Sequence, residues 1–283
     1  MHRERVSENV YWFRSEVYAQ VTAGAVTGPQ WAVMIDTLAL PEEAQEMRDF
    51  IEDQLGVPVR YVINTHYHAD HSWGNCFFPN ATVIAHSLAR ETLLDKGENS
   101  LNMLKKQNAA FRNVKLVPPN LTFSEGSLTL RVGKKTLIMS ATPGHSFDGI
   151  SVLVEEDRVL FAGDAFMPLP YMVDGDPDDL AASIKRISKM GLENIVQGHG
   201  DIILRGEIEE ATRSNLAYIN NVRKAVRSAS KKRDPLGALA EIDIESCGKS
   251  RVTLGGLGVE LHKRNVVFLY KTLTAEETEA ELA

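Results

Sequence analysis

Within Thr65-His66-Tyr67-His68-Ala69-Asp70-His71 the chain places three imidazoles and one carboxylate, in the pattern H-x-H-x-D-H. Histidine nitrogens and carboxylate oxygens are ligands of borderline divalent metals such as zinc. Neither a packed core nor a solvated surface calls for four such groups this close together, and one ion would use only some of them. The pattern therefore hints at two ions. Further polar residues fall in short turns after apolar runs: Asp36, Thr142-Pro143-Gly144-His145, Gly163-Asp164 and Gly198-His199-Gly200. Small residues beside them let the backbone turn sharply and approach closely. Five of the eight histidines (His66, His68, His71, His145 and His199) belong to this scheme, which scattered surface histidines would not produce.

Those turns need strands to hold them. Residues 10–13 and 17–21 predict a strand pair, followed by an apolar strand at 31–35 that ends at Asp36. Pro41, tolerated in a first helical turn, opens a predicted helix to about Leu55. Residues 59–63 read as a short apolar strand bounded by Pro58 and the His-rich segment, so that segment leaves the end of a buried strand. A strand at 82–85, a helical stretch capped by Ser87 and interrupted at Gly97, and strands at 128–132, 136–140, 150–154 and 159–162 follow. An amphipathic helix at 178–190 precedes a last short strand at 194–196. Beyond Arg205, Ile208, Leu216, Ile219, Val222 and Val226 fall at helical spacing until Pro235 ends the pattern, and a final helix is predicted over 257–273. Residues 1–205 thus read as a catalytic core, and 206–283 as a helical extension packed on the same domain.

The 283-residue chain is 43% hydrophobic and 24% charged, ordinary for one large globular domain whose core needs no disulfide staples. Its net charge of −7 argues against a nucleic-acid partner, which calls for a basic face. No long apolar run follows Met1-His2-Arg3-Glu4-Arg5, so neither a signal peptide nor a membrane span is expected. Cys76 and Cys247 are the only cysteines and suit a reducing cytoplasm. The expectation is a cytoplasmic protein that acts on a small-molecule substrate.

In order, Asp36, His66-x-His68-x-Asp70-His71, His145, Asp164 and His199 resemble the motifs of the metallo-β-lactamase-fold hydrolases. The resemblance implies an α+β fold, a four-layer αββα sandwich of two mixed sheets with helices outside and metals at one edge. It implies that His66, His68 and His145 hold a first metal and Asp70, His71 and His199 a second, with Asp164 bridging both. Asp36 would orient a ligand through a hydrogen bond. Zinc is the default, and iron or manganese also suits a nitrogen-and-oxygen set. Two such ions about 3.5–4 Å apart share a water and lower its pKa toward roughly 7. A hydroxide supplied in this way would suit attack on a carbonyl or phosphoryl centre, and Asp70 would accept the proton of the attacking water and pass it to the leaving group.

No cysteine stands at a motif position, so the Cys ligand of one class of true β-lactamases is missing. The glyoxalase II-like, lactonase-like and phosphodiesterase-like branches fit better. Glyoxalase II carries Gly-His-Glu-Tyr-Thr at its last motif, whereas His199 is followed here by Gly200-Asp201, a departure from glutathione thioester recognition. The expected activity is cleavage of an ester-like, thioester or lactone bond. The alternatives are a persulfide dioxygenase with one iron on His66, His145 and Asp164, a phosphodiesterase, and a non-catalytic metal-binding protein. Gly144-His145-Ser146 is closed by Asp148, not glycine, so it is no nucleophile elbow.

For the substrate, the Pro-rich loop after Asp164 offers a pocket wall with Tyr171 as the contact residue. Trp73, Phe77 and Phe78 are expected to pack beneath the motif. Asp176, Asp178 and Asp179 are expected to cap and charge the next helix. His262 reads as a hydrogen-bonded structural residue. The basic cluster from Arg223 to Arg233 reads as a solvated helix face, the alternative being a site for an anionic substrate. The apolar run at 266–270 predicts a last helix buried in this chain or against a second copy in a homodimer.

Overall fold

The computed structural model describes the backbone of residues 1–282 and the side chains of residues 1–275. Seven strands follow one another in chain order across one sheet: β1 (His2–Ser7), β2 (Val10–Arg14), β3 (Thr22–Thr27), β4 (Ala32–Ile35), β5 (Val59–Ile63), β6 (Thr82–His86) and β7 (Leu121–Phe123). Pairing is antiparallel from β1 to β4 and parallel from β4 to β7. A second sheet takes β8 (Ser127–Val132), β9 (Lys135–Ala141), β10 (Ile150–Val154), β11 (Val159–Gly163), β12 (Asn194–Gln197) and β13 (Ile203–Leu204). There only β11 and β12 run parallel. Each sheet is thus built from one continuous stretch of chain.

Successive strand residues point to opposite faces, so a strand buried on both sides is apolar throughout. In β4, Val33 and Ile35 enter the core between the sheets while Ala32 and Met34 face outward into a second cluster. In β11, Val159 and Phe161 face the other sheet while Leu160 and Ala162 face helices. A Cβ on Gly24 would lie 2.1 Å from the Phe161 ring, so glycine is what lets the two sheets meet at that point.

Eight α-helices occur among the described residues: α1 (Pro41–Asp49), α2 (Ala69–Ser72), α3 (Ser87–Thr92), α4 (Glu98–Gln107), α5 (Pro177–Ser188), α6 (Ile208–Ser230), α7 (Pro235–Ala240) and α8 (Leu257–Leu282). Met47 of α1, with Ile51 from the π-helical turn that follows it, packs on Met34 and Val62 outside the first sheet. Outside the second sheet, Ile184 of α5, Ile219 and Val222 of α6, and Val266 and Leu269 of α8 join Leu160 and Ile195 in one cluster. The architecture is an αββα sandwich of two mixed sheets with a helical C-terminal extension. Among the described residues no helix is long and apolar enough to cross a membrane.

Several local expectations are corrected. Residues 17–21 form no strand: Ser15 Oγ accepts the amides of Val17 and Tyr18, and Ala19 and Gln20 adopt positive φ, which folds the segment into a loop. The partners of β2 are β1 and β3 instead. His86, not Ser87, caps α3, its Nδ1 accepting the Leu88 amide, and Gly97 keeps helical angles inside a continuing helix. The short strand at 194–197 is not the last, since β13 pairs with it. The helix before Pro235 already stops at Ser230, and Pro235 instead opens α7, with Asp234 as its cap. In α8, Val266 and Leu269 are buried in the chain's own core, whereas Val267 is 51% exposed.

Candidate metal centre

Strands β4 and β5 run parallel in the first sheet, and β9, β11 and β12 share one direction in the second. Their carboxyl ends open at a common edge, and every turn singled out by its polar residue lies there. The first sheet supplies Asp36, His66, His68, Asp70 and His71; the second supplies His145, Asp164 and His199. A link between Thr65 O and the Ile150 amide, 2.8 Å, joins the sheets beside the site.

Ligand-capable atoms gather in two groups, His66, His68, His145 and Asp164 in one and Asp70, His71 and His199 in the other, each within 4.8 Å. In the first, His68 Nδ1 lies 3.0 Å from both His66 Nε2 and His145 Nε2. Asp164 stands between the groups. Its Oδ2 is 3.3 Å from His145 Nε2 and 3.4 Å from His199 Nε2, and its Oδ1 is 3.3 Å from His71 Nε2. Asp70 Oδ2 is 3.6 Å from His199 Nε2. This close approach depends on Gly198, where a Cβ would fall 1.8 Å from Asp164 Oδ1.

Each imidazole is held from behind by its other nitrogen, which fixes its tautomer and orientation. His145 Nδ1 donates to Tyr171 O at 2.8 Å and His199 Nδ1 to Ala19 O at 2.9 Å. His68 Nε2 donates to Asp174 Oδ2 at 3.1 Å. His71 Nδ1 donates to Asp36 Oδ2 at 2.8 Å. His66 Nδ1 donates to Thr65 Oγ1 at 3.0 Å, because that hydroxyl gives its own proton to Asp36 Oδ2 at 2.7 Å. With their other nitrogens donating outward, His66 Nε2 and His145 Nε2 are left with lone pairs that both point at His68 Nδ1, and lone pairs converging in this way call for a positive charge among them, which a metal cation would supply. In the other group, the buried His71 Nε2 and Asp164 Oδ1 make no hydrogen bond at all. The donor set fits divalent metal.

Charge divides the two groups. Burial, together with the nearby His71 charge, pushes His66 well below its ordinary value, and burial takes His145 down to about 4. Burial would lower His71 and His199 as well, but the charge of Asp164, with Asp70 behind it and, at His71, Asp36 too, outweighs burial and raises both. Burial would likewise raise Asp164, yet His199, His71 and His145 hold it well below the carboxylate range.

Asp36 adopts φ +58° and accepts three hydrogen bonds, from the Thr65 amide, the Thr65 hydroxyl and His71. Burial pushes its pKa up, and the His71 charge and these donors oppose that. An amide here would turn an N–H toward a donor. Asp36→Asn is therefore expected to weaken metal binding by about 10- to 100-fold with the fold retained. Chelator competition measures this, and an unchanged affinity would mean that His71 needs no such partner.

A cavity of about 430 Å³ opens over the cluster, and Asp70, His68, His145, Asp164 and His199 form its floor. Tyr171 is among its lining residues, and its carbonyl serves His145. Most of the remaining wall escaped sequence reasoning: Val17 and Tyr18 from the loop mistaken for a strand, and Leu254, Leu257, Leu261 and Arg264 around the start of α8. Asp174 and Asp148, which accepts the Tyr67 amide at 2.7 Å, were missed too; both lie in turns where an aspartate reads as a cap or surface residue. The residues set aside as structural behave so. Asp176 accepts the amides of Asp178 and Asp179, Arg223 pairs with Asp178, Trp73 packs edge-on against Phe111, and His262 bonds Tyr218 and Ile242 O.

Residues 19–234 match a family model described as the metallo-beta-lactamase superfamily. The chain belongs to that superfamily. Among similar proteins, the Beta-lactamase-like protein 2 homolog of Caenorhabditis elegans is 28% identical over 145 residues, 51% of this chain and 43% of that protein. Thioesterase pkgB of Emericella nidulans is 27% identical over 173 residues, 61% of this chain and 43% of that protein. The chain spans less than half the length of these two relatives. A metallo-beta-lactamase family protein of Thermus thermophilus shares the fold, with a TM-score of 0.71 at 17% identity over 96% of this chain and 95% of that one. The superfamily match stops before Leu254, so the pocket wall around α8 lies outside it.

Proposed function

We propose that this superfamily member is a dinuclear metal-dependent hydrolase that cleaves an ester, thioester or lactone bond in a small, largely apolar molecule. The observation that carries the reading is Asp164, whose two carboxylate oxygens face both ligand groups. His66, His68 and His145 would hold one ion, Asp70, His71 and His199 the other, with zinc favoured and iron or manganese compatible. Bound there, two divalent ions would supply an acidified water and a Lewis acid for the carbonyl oxygen. A mononuclear dioxygenase would use His66, His145 and Asp164 alone and give no role to the complete second group.

The protein's own side chains would do the rest. Asp70 lines the cavity beside His199 and is placed to take a proton from the attacking water and return it to the leaving group. Burial and the Asp70 charge raise the Tyr18 phenol, which stays protonated and can donate to a substrate oxygen. Val17, Met167, Leu254, Leu257 and Leu261 suit an apolar acyl portion. The thioesterase among the relatives supports a thioester carbonyl as one member of this class. A small-molecule substrate and a cytoplasmic setting belong to the same proposal.

Elemental analysis paired with turnover of ester, thioester, lactone and phosphodiester panels tests it. Two metals per chain and carbonyl-ester turnover are expected. One iron with oxygen consumption would replace the reading with a dioxygenase, and metal without any turnover would leave a binding protein. Arg264, on the cavity wall with a side chain 58% exposed and its Nε paired with Glu260 Oε1 at 3.2 Å, would offer the rest of its guanidinium to a negative substituent near the opening. Arg264→Ala is expected to raise KM for anionic substrates by about 2- to 5-fold, the scale of an exposed charge contact, with kcat unchanged. An equal effect on neutral substrates would argue against charge recognition.

A further inference from the structure

The loop after Asp164 is held by side chains from distant helices. Asn215 of α6 donates from Nδ2 to Met167 O at 3.0 Å. Asn265 of α8 donates from Nδ2 to Pro170 O at 2.8 Å and accepts the Met172 amide on Oδ1 at 3.0 Å. Asn265 is fully buried. Its two loop partners flank Tyr171, the residue whose carbonyl accepts His145 Nδ1–H. One amide side chain that grips both neighbours fixes the direction of the carbonyl between them. Asn265 is itself held: its Nδ2 also donates to Tyr218 Oη at 3.1 Å, Tyr218 donates to His262 Nδ1 at 2.9 Å, and His262 Nε2 donates to Ile242 O at 3.1 Å. Every polar atom in this chain of bonds has a partner, so the amide has one orientation.

We propose that Asn265 is a positioning residue for the metal centre, acting through the Tyr171 carbonyl on His145. The inference rests on His145 being a ligand, as in the proposed function. It makes the C-terminal helix part of the metal site and not only a cover for the second sheet. A ligating imidazole whose outer partner is lost typically gives up about 10- to 100-fold in metal affinity. Leucine keeps the shape of asparagine but can neither donate nor accept.

The test compares the full-length wild type with Asn265→Leu, Asn265→Asp and Tyr218→Phe. Zinc affinity is measured by chelator competition, the visible spectrum after cobalt substitution, and melting temperature on the metal-free forms. Both Asn265 variants are expected to lose about 10- to 100-fold in affinity and to alter the cobalt spectrum. Tyr218→Phe keeps both loop bonds, so it should lower the melting temperature and leave affinity and spectrum as in wild type. If Asn265→Leu does not fold, Asn265→Asp decides, since it keeps the shape and the acceptor but loses the donor to Pro170. Affinity that shifts equally in the Asn265 and Tyr218 variants, or in neither, would show Asn265 to be a packing residue only. A wild type that binds no metal would instead remove the reading on which the inference rests.

Discussion

Asp164→Ala is expected to remove bound metal and to lower turnover by about 10²- to 10³-fold, the scale on which one preorganised electrostatic contact is felt in an active site. The expectation comes from position. The carboxylate lies within 3.4 Å of imidazoles from both groups, so its loss opens both at once. The metal-free protein should suffer as well. The pKa of Asp164 is held down in the fold, chiefly by His199, His71 and His145 against the effect of burial. A depressed carboxylate contributes stability above its unfolded value of about 3.9 and loses it as pH falls through the folded value, so the contribution is complete at neutral pH. Removing it strands buried imidazolium groups, at a cost of about 3–5 kcal/mol. Elemental analysis and thermal melts with and without chelator read the two effects separately. An Asp164→Ala protein that kept two metals and full turnover would refute the shared-carboxylate assignment.

Metal uptake by the stripped protein is expected to be unequal at about pH 6, one ion binding more readily than the other. His66 and His145 are shifted toward the neutral form, so these two ligands accept a cation without giving up protons. His71 and His199 are shifted upward and must lose theirs first. Their contribution to the metal-free fold is complete below the unfolded value of about 6.5 and fades as pH rises through the folded values. Affinity at the second group should therefore climb by about tenfold per pH unit for each proton displaced. The first ion should assist the second, because a cation beside Asp164 weakens the pull that keeps those protons on. Calorimetric titration at several pH values, in buffers of different ionisation enthalpy, measures both affinities and the protons released. Two equal sites with no proton release would contradict the division of charge.

How far the site was legible depended on where each constraint sits. The clustering of the candidate ligands could be read because metal chemistry calls for His and Asp, and because turns at strand ends carry small residues beside them. The buried strands were legible for the same kind of reason: β5 and β10 are mostly apolar, with Arg60 and Ser151 as the polar exceptions, and match their expected bounds. β1 was invisible, since His2–Ser7 is polar and largely exposed on a sheet edge. Val17, Ala19 and Val21 alternate like a strand, and only the serine turn before them and the positive φ of Ala19 show otherwise. Asn265 and Arg264 carry no local signal at all. Their roles arise from how α8 lies across the loop after Asp164, a tertiary relation that spacing along the chain does not encode.

The division of the ligands between two sheets has a consequence in time. The first sheet is complete by Phe123 and brings five of the site residues, Asp36 among them, while the second closes only after His199. His145 and Asp164 are needed for one group and His199 for the other, so a chain emerging from the ribosome has neither coordination set until its second half is made. On the proposed reading, metal acquisition would then be a late event in the life of each molecule, and an ion held tightly would report that both halves have been synthesised and have closed on each other.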